Sequence, residues 1–170
     1  MPLIRSVRGF TPNIAPDVFL AETAVVIGDV VIGSGCSVWY NAVIRGDVHR
    51  IRIGRETNIQ DGAILHCTYE KADLIIGNRV SIGHSAIVHG CHVHDRVLIG
   101  MGAKILDHAI VESNVIIAAG ALVLENFRCE TGYLYAGVPA RKVKALTPEQ
   151  MALVNRLPDN YQMYSSWFTE

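Results

Sequence analysis

Reading from Ile14, an aliphatic residue recurs every six positions, at Ile14, Leu20, Val26, Ile32, Val38 and Ile44. The column resumes at Ile53, Ile59 and Leu65, at Ile76, Ile82 and Val88, and at Val93, Ile99, Ile105, Val111, Ile117 and Val123. Four positions after most of these stands a small residue, such as Ala24, Cys36, Ala42, Ala63, Ala86, Ala103 or Ala121. A helix repeats near every 3.6 residues and a simple strand every 2, so a period of six matches neither. It matches short strands joined by tight corners, three strands to a coil. The aliphatic column then fills a prism-shaped interior, and the small column fits where the wall turns. A short fixed period is the mark of a repeat architecture. The pattern therefore predicts an all-β solenoid, a parallel β-helix over residues 14–146, after a lead-in over 1–13. Gly33, Gly54, Gly77, Gly83 and Gly100 directly follow their aliphatic residue, where backbones must approach closely.

The tail departs from the repeat. Thr147-Pro148-Glu149-Gln150 supplies an N-cap, a first-turn proline and a capping-box partner. A C-terminal α-helical segment is predicted over 147–170, packing back on the prism. Pro158 is expected to break it, with "DNYQMYSSWFTE" forming a second short helix.

Composition narrows the function. A chain of 170 residues with half of them hydrophobic suits one well-packed domain. A net charge of −1 without a basic run argues against a nucleic-acid partner. "MPLIRSVRGF" shows no apolar signal core, and the apolar run from Val115 to Leu124 is too short to span a bilayer, which takes about 20 residues. The four cysteines form no CxxC pair and read as reduced thiols of a cytoplasmic protein. GxGxxG, GxxxxGK[ST], HExxH and GxSxG are all absent.

The repeat slips three times: nine residues separate Ile44 from Ile53, eleven Leu65 from Ile76, and five Val88 from Val93. These slips contain or adjoin "RGDVHR", "HCTYEKAD" and "HGCHV", and all seven histidines lie between His49 and His108. His66 follows Leu65, His84 stands two past Ile82, and His89 follows Val88. None falls in an inward column. A stack every 18 residues puts His66 and His84 on one face of adjacent coils, with His89 one face further on. Adjacent coils lie about 4.8 Å apart, yet outward side chains diverge at a corner. One chain hardly closes a tetrahedral site alone, and a neighbouring chain is a source of the missing ligand. Three neutral imidazoles and a water form the usual catalytic zinc set. Spacing alone leaves metal binding and surface decoration both open, whereas His92, His94 and His108 fit a solvated surface.

The motifs "VIRGDVHRIRIG", "TNIQDGAILH", "IGHSAIVHG" and "YLYAGVPARKV" resemble those of the gamma-class carbonic anhydrases and the close carbonic-anhydrase-like proteins, over roughly residues 10–145. The resemblance implies a homotrimer of left-handed β-helices built from hexapeptide repeats, with a metal at each subunit interface. It implies His66 and His89 as ligands from one subunit and His84 from its neighbour. Zinc is the default metal, with Fe2+ and Co2+ as family alternatives. Arg45 and Asp47 match an interfacial ion pair, with Asp61 near it. Asn58 and Gln60 match side chains that hydrogen-bond near the metal-bound water, and Tyr161 resembles a tail tyrosine. The implied reaction is reversible hydration of carbon dioxide to bicarbonate, by the hydroxide that zinc makes available near neutral pH.

The chain also departs from the family prototype. Val48-His49-Arg50 follows Asp47 where the prototype carries an acidic loop, and Cys67-Thr68-Tyr69-Glu70 follows His66 where it carries a glutamate. His49 and Glu70 are the candidate proton carriers in their place. Cys67 and Cys91 read as inert thiols, and Trp39 and Tyr40 as outer-wall packing residues. Two rival functions stand beside this one. "AGVPARKV" also resembles the repeat end of hexapeptide acyltransferases that use acetyl-coenzyme A, and the missing glutamates suit a metal-binding scaffold with little hydration activity.

Overall fold

In the computed structural model, which describes residues 1–168, the six-residue period winds into a parallel β-solenoid of about seven turns closed by one C-terminal helix. Every aliphatic column becomes a stack. On one face Val26, Ile44, Leu65, Val88, Ile105 and Val123 lie in register on successive coils. On the second face Ile53, Ile76, Val93 and Val111 do the same. On the third, Leu20, Val38, Ile59, Ile82, Ile99 and Ile117 continue to Tyr135. From Val26 to Val123 the column is at most 4% exposed. The long strands Val25–Ile32 and Val43–Ile53 turn a corner unbroken, so two faces join as one twelve-stranded sheet beside an eight-stranded one. The lead-in is part of the wall, because Leu3–Arg5 pairs in parallel with Val25–Ile27.

Close stacking explains the corner glycines. A Cβ on Gly54 would lie 2.6 Å from the Gly77 carbonyl oxygen of the next coil, and rigid backbone cannot move aside for it.

The tail helix α1 spans Pro148–Ser166. Its capping box forms as predicted: Thr147 Oγ1 accepts from the Gln150 amide, and Gln150 Oε1 from the Thr147 amide. Pro158, however, does not break it, and the expected second helix is the second half of α1; Thr169 and Glu170 lie outside the described residues. An interior proline costs about 3 kcal/mol through a lost hydrogen bond and a ring clash. Docking offsets that cost. Val154 and Pro158 are buried against the wall. Arg79 donates to the Asn155 carbonyl at 2.7 Å and to Asp159 at 2.8 Å, on either side of the proline, and also pairs with Glu56. Tyr161 packs edge-on against Trp39 with ring centroids 5.5 Å apart, and Trp39 also meets Phe19 at 5.1 Å.

Truncating Ile99 to alanine, between Ile82 and Ile117, opens a cavity that tight stacks cannot close. It is expected to lower unfolding free energy by about 2–5 kcal/mol, measured by chemical denaturation.

Candidate metal centre

The strands Ile64–His66 and Ile87–His89 are parallel neighbours, with His66 directly opposite His89. Leu65 and Val88 point inward, so the adjacent imidazoles point out. The expectation that His66 and His84 share a face is therefore corrected. The eleven-residue slip lengthens that coil, so the partner of His66 is His89, 23 residues on. His84 stands one face earlier, its Nδ1 2.9 Å from Asp61 Oδ2.

Counting protons shows what the first pair can do. His89 Nδ1 lies 2.6 Å from Asp107 Oδ1, and His66 Nε2 lies 3.1 Å from Asp47 Oδ1. A carboxylate only accepts, so each contact requires the N–H on that nitrogen. The other nitrogens, His66 Nδ1 and His89 Nε2, then face one another as lone pairs 3.1 Å apart. Two lone pairs at that distance repel unless a cation sits between them. Two nitrogens on a tetrahedral zinc, each about 2.0–2.1 Å from the metal, are themselves roughly 3.3–3.4 Å apart. The donor set thus fits a metal, and each ligand nitrogen is backed by a carboxylate on the other side of its ring, the usual arrangement for metal-bound histidine.

The charges around the pair agree. Burial is the main cause holding His66 below the ordinary imidazole value, helped by nearby Arg45 and His89 and opposed by the Asp47 hydrogen bond. His66 is therefore a neutral donor to Asp47 rather than half of an ion pair. Partial burial pushes the Asp47 carboxyl up, but hydrogen bonds from Arg45, at 2.6 Å, and His66 outweigh it and hold it low. Asp107 follows the same balance: burial pushes it up, and bonds from Thr68 and His89 bring it below the usual carboxylate range. The sequence reading missed Asp107 and Thr68. Asp107 stands 18 residues after His89, one regular coil on, and that spacing was the available signal.

The remaining predicted residues gather elsewhere. The Gln60 amide donates to Asn58 Oδ1 at 3.0 Å, and the Asn58 amide to Ser81 Oγ at 2.8 Å. All three are nearly fully buried, although Asn58 and Gln60 flank inward Ile59 and so point out. Helix α1 lies against the flanking strands Ser37–Val38 and Ser81–Ile82 and covers them. Asp61, His84 and Tyr161 line a cleft of about 390 Å³ with Trp39, Tyr40 and other tail aromatics. There burial, then the nearby Asp61 charge, pushes the Tyr161 hydroxyl up to about 12. One chain thus carries two part-sites: Arg45, Asp47, His66 and His89 in one place, Asn58, Gln60, Asp61, His84 and Tyr161 in another. Among the described residues no three His, Cys, Asp or Glu side chains converge to hold a metal. His49 and Glu70 line a separate cavity of about 230 Å³, and Asp47 lines it too. No helix among the described residues is long and apolar enough to cross a membrane.

A solenoid of six-residue repeats with imidazoles on its outer wall defines a hexapeptide-repeat protein. The family described as bacterial transferase hexapeptide (six repeats) matches residues 11–46 and 90–125. A "Probable carbonic anhydrase" of Methanocaldococcus jannaschii is 50% identical over 138 residues, 81% of this chain and 86% of that protein. Gamma carbonic anhydrase 1, mitochondrial, of Arabidopsis thaliana is 45% identical over 157 residues, 88% of this chain. The chain spans only about half, 56%, of the length of that plant relative. Among solved structures, a hexapeptide transferase family protein from Anaplasma phagocytophilum superposes with a TM-score of 0.94 at 36% identity, covering 98% of both chains. The chain belongs to the family of gamma-class carbonic anhydrases and carbonic-anhydrase-like hexapeptide-repeat proteins.

The four cysteines are free and buried. Burial pushes the Cys36 thiol up to about 11, Cys67 and Cys129 up to about 12, and Cys91 higher still. The thiolate is the reactive form. A disulfide reagent at pH 8 is expected to leave the folded protein untouched and to titrate all four thiols once it is unfolded.

Proposed function

We propose that this protein is a carbonic-anhydrase-like metalloenzyme that hydrates carbon dioxide reversibly to bicarbonate at the interfaces of a homotrimer. The observation that carries this reading is the facing lone pairs of His66 Nδ1 and His89 Nε2, each ring anchored by an aspartate. His66 and His89 of one copy hold the metal, and His84 of a second copy completes the set. Asp61 Oδ2 lies 2.9 Å from His84 Nδ1, and Nε2 is the nitrogen this reading gives to the metal. This division agrees with the two part-sites on a single chain. Zinc is the metal expected, with Fe2+ or Co2+ able to occupy the same nitrogens. When bound, such a metal brings the pKa of a coordinated water down to about 7.

The chain's own residues do the rest. Gln60 gives its amide N–H to Asn58, whose amide is held by Ser81. In that order the Gln60 carbonyl oxygen remains as an acceptor that orients water or substrate. The Arg45–Asp47 pair fixes the N–H of His66. Tyr161 closes the His84 side of the site. A proton released on hydration leaves through the cavity that Asp47 shares with His49 and Glu70. Free, buried thiols suit a reducing compartment, and we place the protein in the cytoplasm.

Metal analysis of the purified protein beside a stopped-flow hydration assay tests this reading. About one metal per chain is expected in a trimer, with hydration that His84→Ala abolishes. Metal without hydration favours a scaffold, and an absence of metal together with acetyl-coenzyme A binding favours an acyltransferase. His49→Ala is expected to retain metal but slow turnover by 10-fold or more, as loss of a positioned proton carrier does. An unchanged rate removes His49 from that role.

A further inference from the structure

The Asp107 carboxylate joins two parts of the molecule. Its Oδ1 accepts from His89 Nδ1, and its Oδ2 accepts from the Thr68 hydroxyl, 39 residues away in sequence. Thr68 opens the tight turn that fills the longest slip in the repeat. Its amide bonds the Ala72 carbonyl, and its own carbonyl accepts from the Lys71 and Ala72 amides. Glu70 sits at the tip with φ +50°. The carboxylate reaches His89 only because residue 90 is glycine, since a Cβ there would overlap Asp107 Oδ1. None of these contacts is needed to stack the coils, which the aliphatic columns already hold.

We propose that Asp107 and Thr68 are positioning residues of the metal centre. Asp107 keeps the proton of His89 on Nδ1 and so presents Nε2 to a divalent cation. Thr68 makes closure of the Thr68–Ala72 turn part of the same arrangement. The proposal rests on the reading of His66 and His89 as cation ligands. Without Asp107, nothing holds the proton on Nδ1. It moves to Nε2, where it donates to the facing lone pair of His66 Nδ1, 3.1 Å away, and the nitrogen meant for the cation is blocked. Because one carboxylate holds both partners, ordering the imidazole orders the turn. By linkage, a closed turn strengthens the hold on the cation by the same factor that a bound cation favours the closed turn. Glu70 rides on that turn beside the cavity it shares with Asp47, so the clamp also sets where this proton carrier stands.

Three readouts test it: the His89 tautomer from 15N shifts of metal-free protein, amide exchange at Lys71 and Ala72, and zinc affinity by chelator competition. Asp107→Ala is expected to shift His89 to the Nε2–H form and weaken zinc binding about 10–100-fold. Thr68→Val is expected to keep the Nδ1–H form, speed exchange at both amides about tenfold, and weaken zinc a few-fold; Thr68→Ser restores both. An unchanged tautomer in Asp107→Ala, or unchanged exchange in Thr68→Val, overturns the proposal. A wild-type protein that takes up no zinc, yet loses its Nδ1–H tautomer in Asp107→Ala, overturns the metal reading and leaves the clamp standing.

Discussion

Every feature of this protein depends on in-register stacking of its coils. A parallel ladder holds neighbouring coils about 4.8 Å apart, and each inward side chain must then lie on one of similar shape. Leu65 rests between Ile44 and Val88, and Ile82 between Ile59 and Ile99. Slipping any coil by one residue would turn its aliphatic side chains to water and its polar ones inward. This fixed register also determines which outward residues meet. His66 faces His89 because Leu65 lies on Val88. The imidazoles inherit their alignment from the core beneath them.

Their alignment would be unfavourable without a partner of opposite charge. Two imidazoles whose N–H groups are committed to Asp47 and Asp107 turn their other nitrogens toward each other. A partly buried polar arrangement of this kind persists only where the surroundings over-determine it, and such places are commonly functional. The second part-site shows a different economy. Asn58, Gln60 and Ser81 form a closed amide and hydroxyl chain under α1, whereas the His84 side chain beside Asp61 is 44% exposed. A rigid prism cannot bend one face around to another, so the two groups of residues stay apart within one chain.

The tail shows how packing overrules local preference. Pro158 reads as a break, with a second short helix after it. In the folded chain the helix continues because Arg79 satisfies carbonyl and carboxylate groups on both sides of the proline, and Trp39 receives Tyr161. The same docking covers the outward amides of the wall and forms the aromatic cleft beside His84. The tail is thus both a cover for the solenoid and one wall of a part-site.

The period of six predicted the coiled parallel sheet, because every sixth residue must turn inward to bury the aliphatic column, whereas the hand of the coil came from the family resemblance. The capping box fixed where α1 begins, because its bonds join residues three apart. The sequence also marked His66, His84 and His89 as outward-facing, since they fall outside the inward columns. It could not reveal which histidines meet, because an irregular coil spoils counting by 18 and the true spacing of 23 depends on where the extra residues bulge. Thr68 escaped for the same reason, since its meeting with Asp107 across 39 residues is decided by the path of a turn, whereas Asp107 stands one regular coil past His89. The repeat specifies the wall residue by residue, but the slips are local exceptions whose geometry exists only once the wall has formed around them.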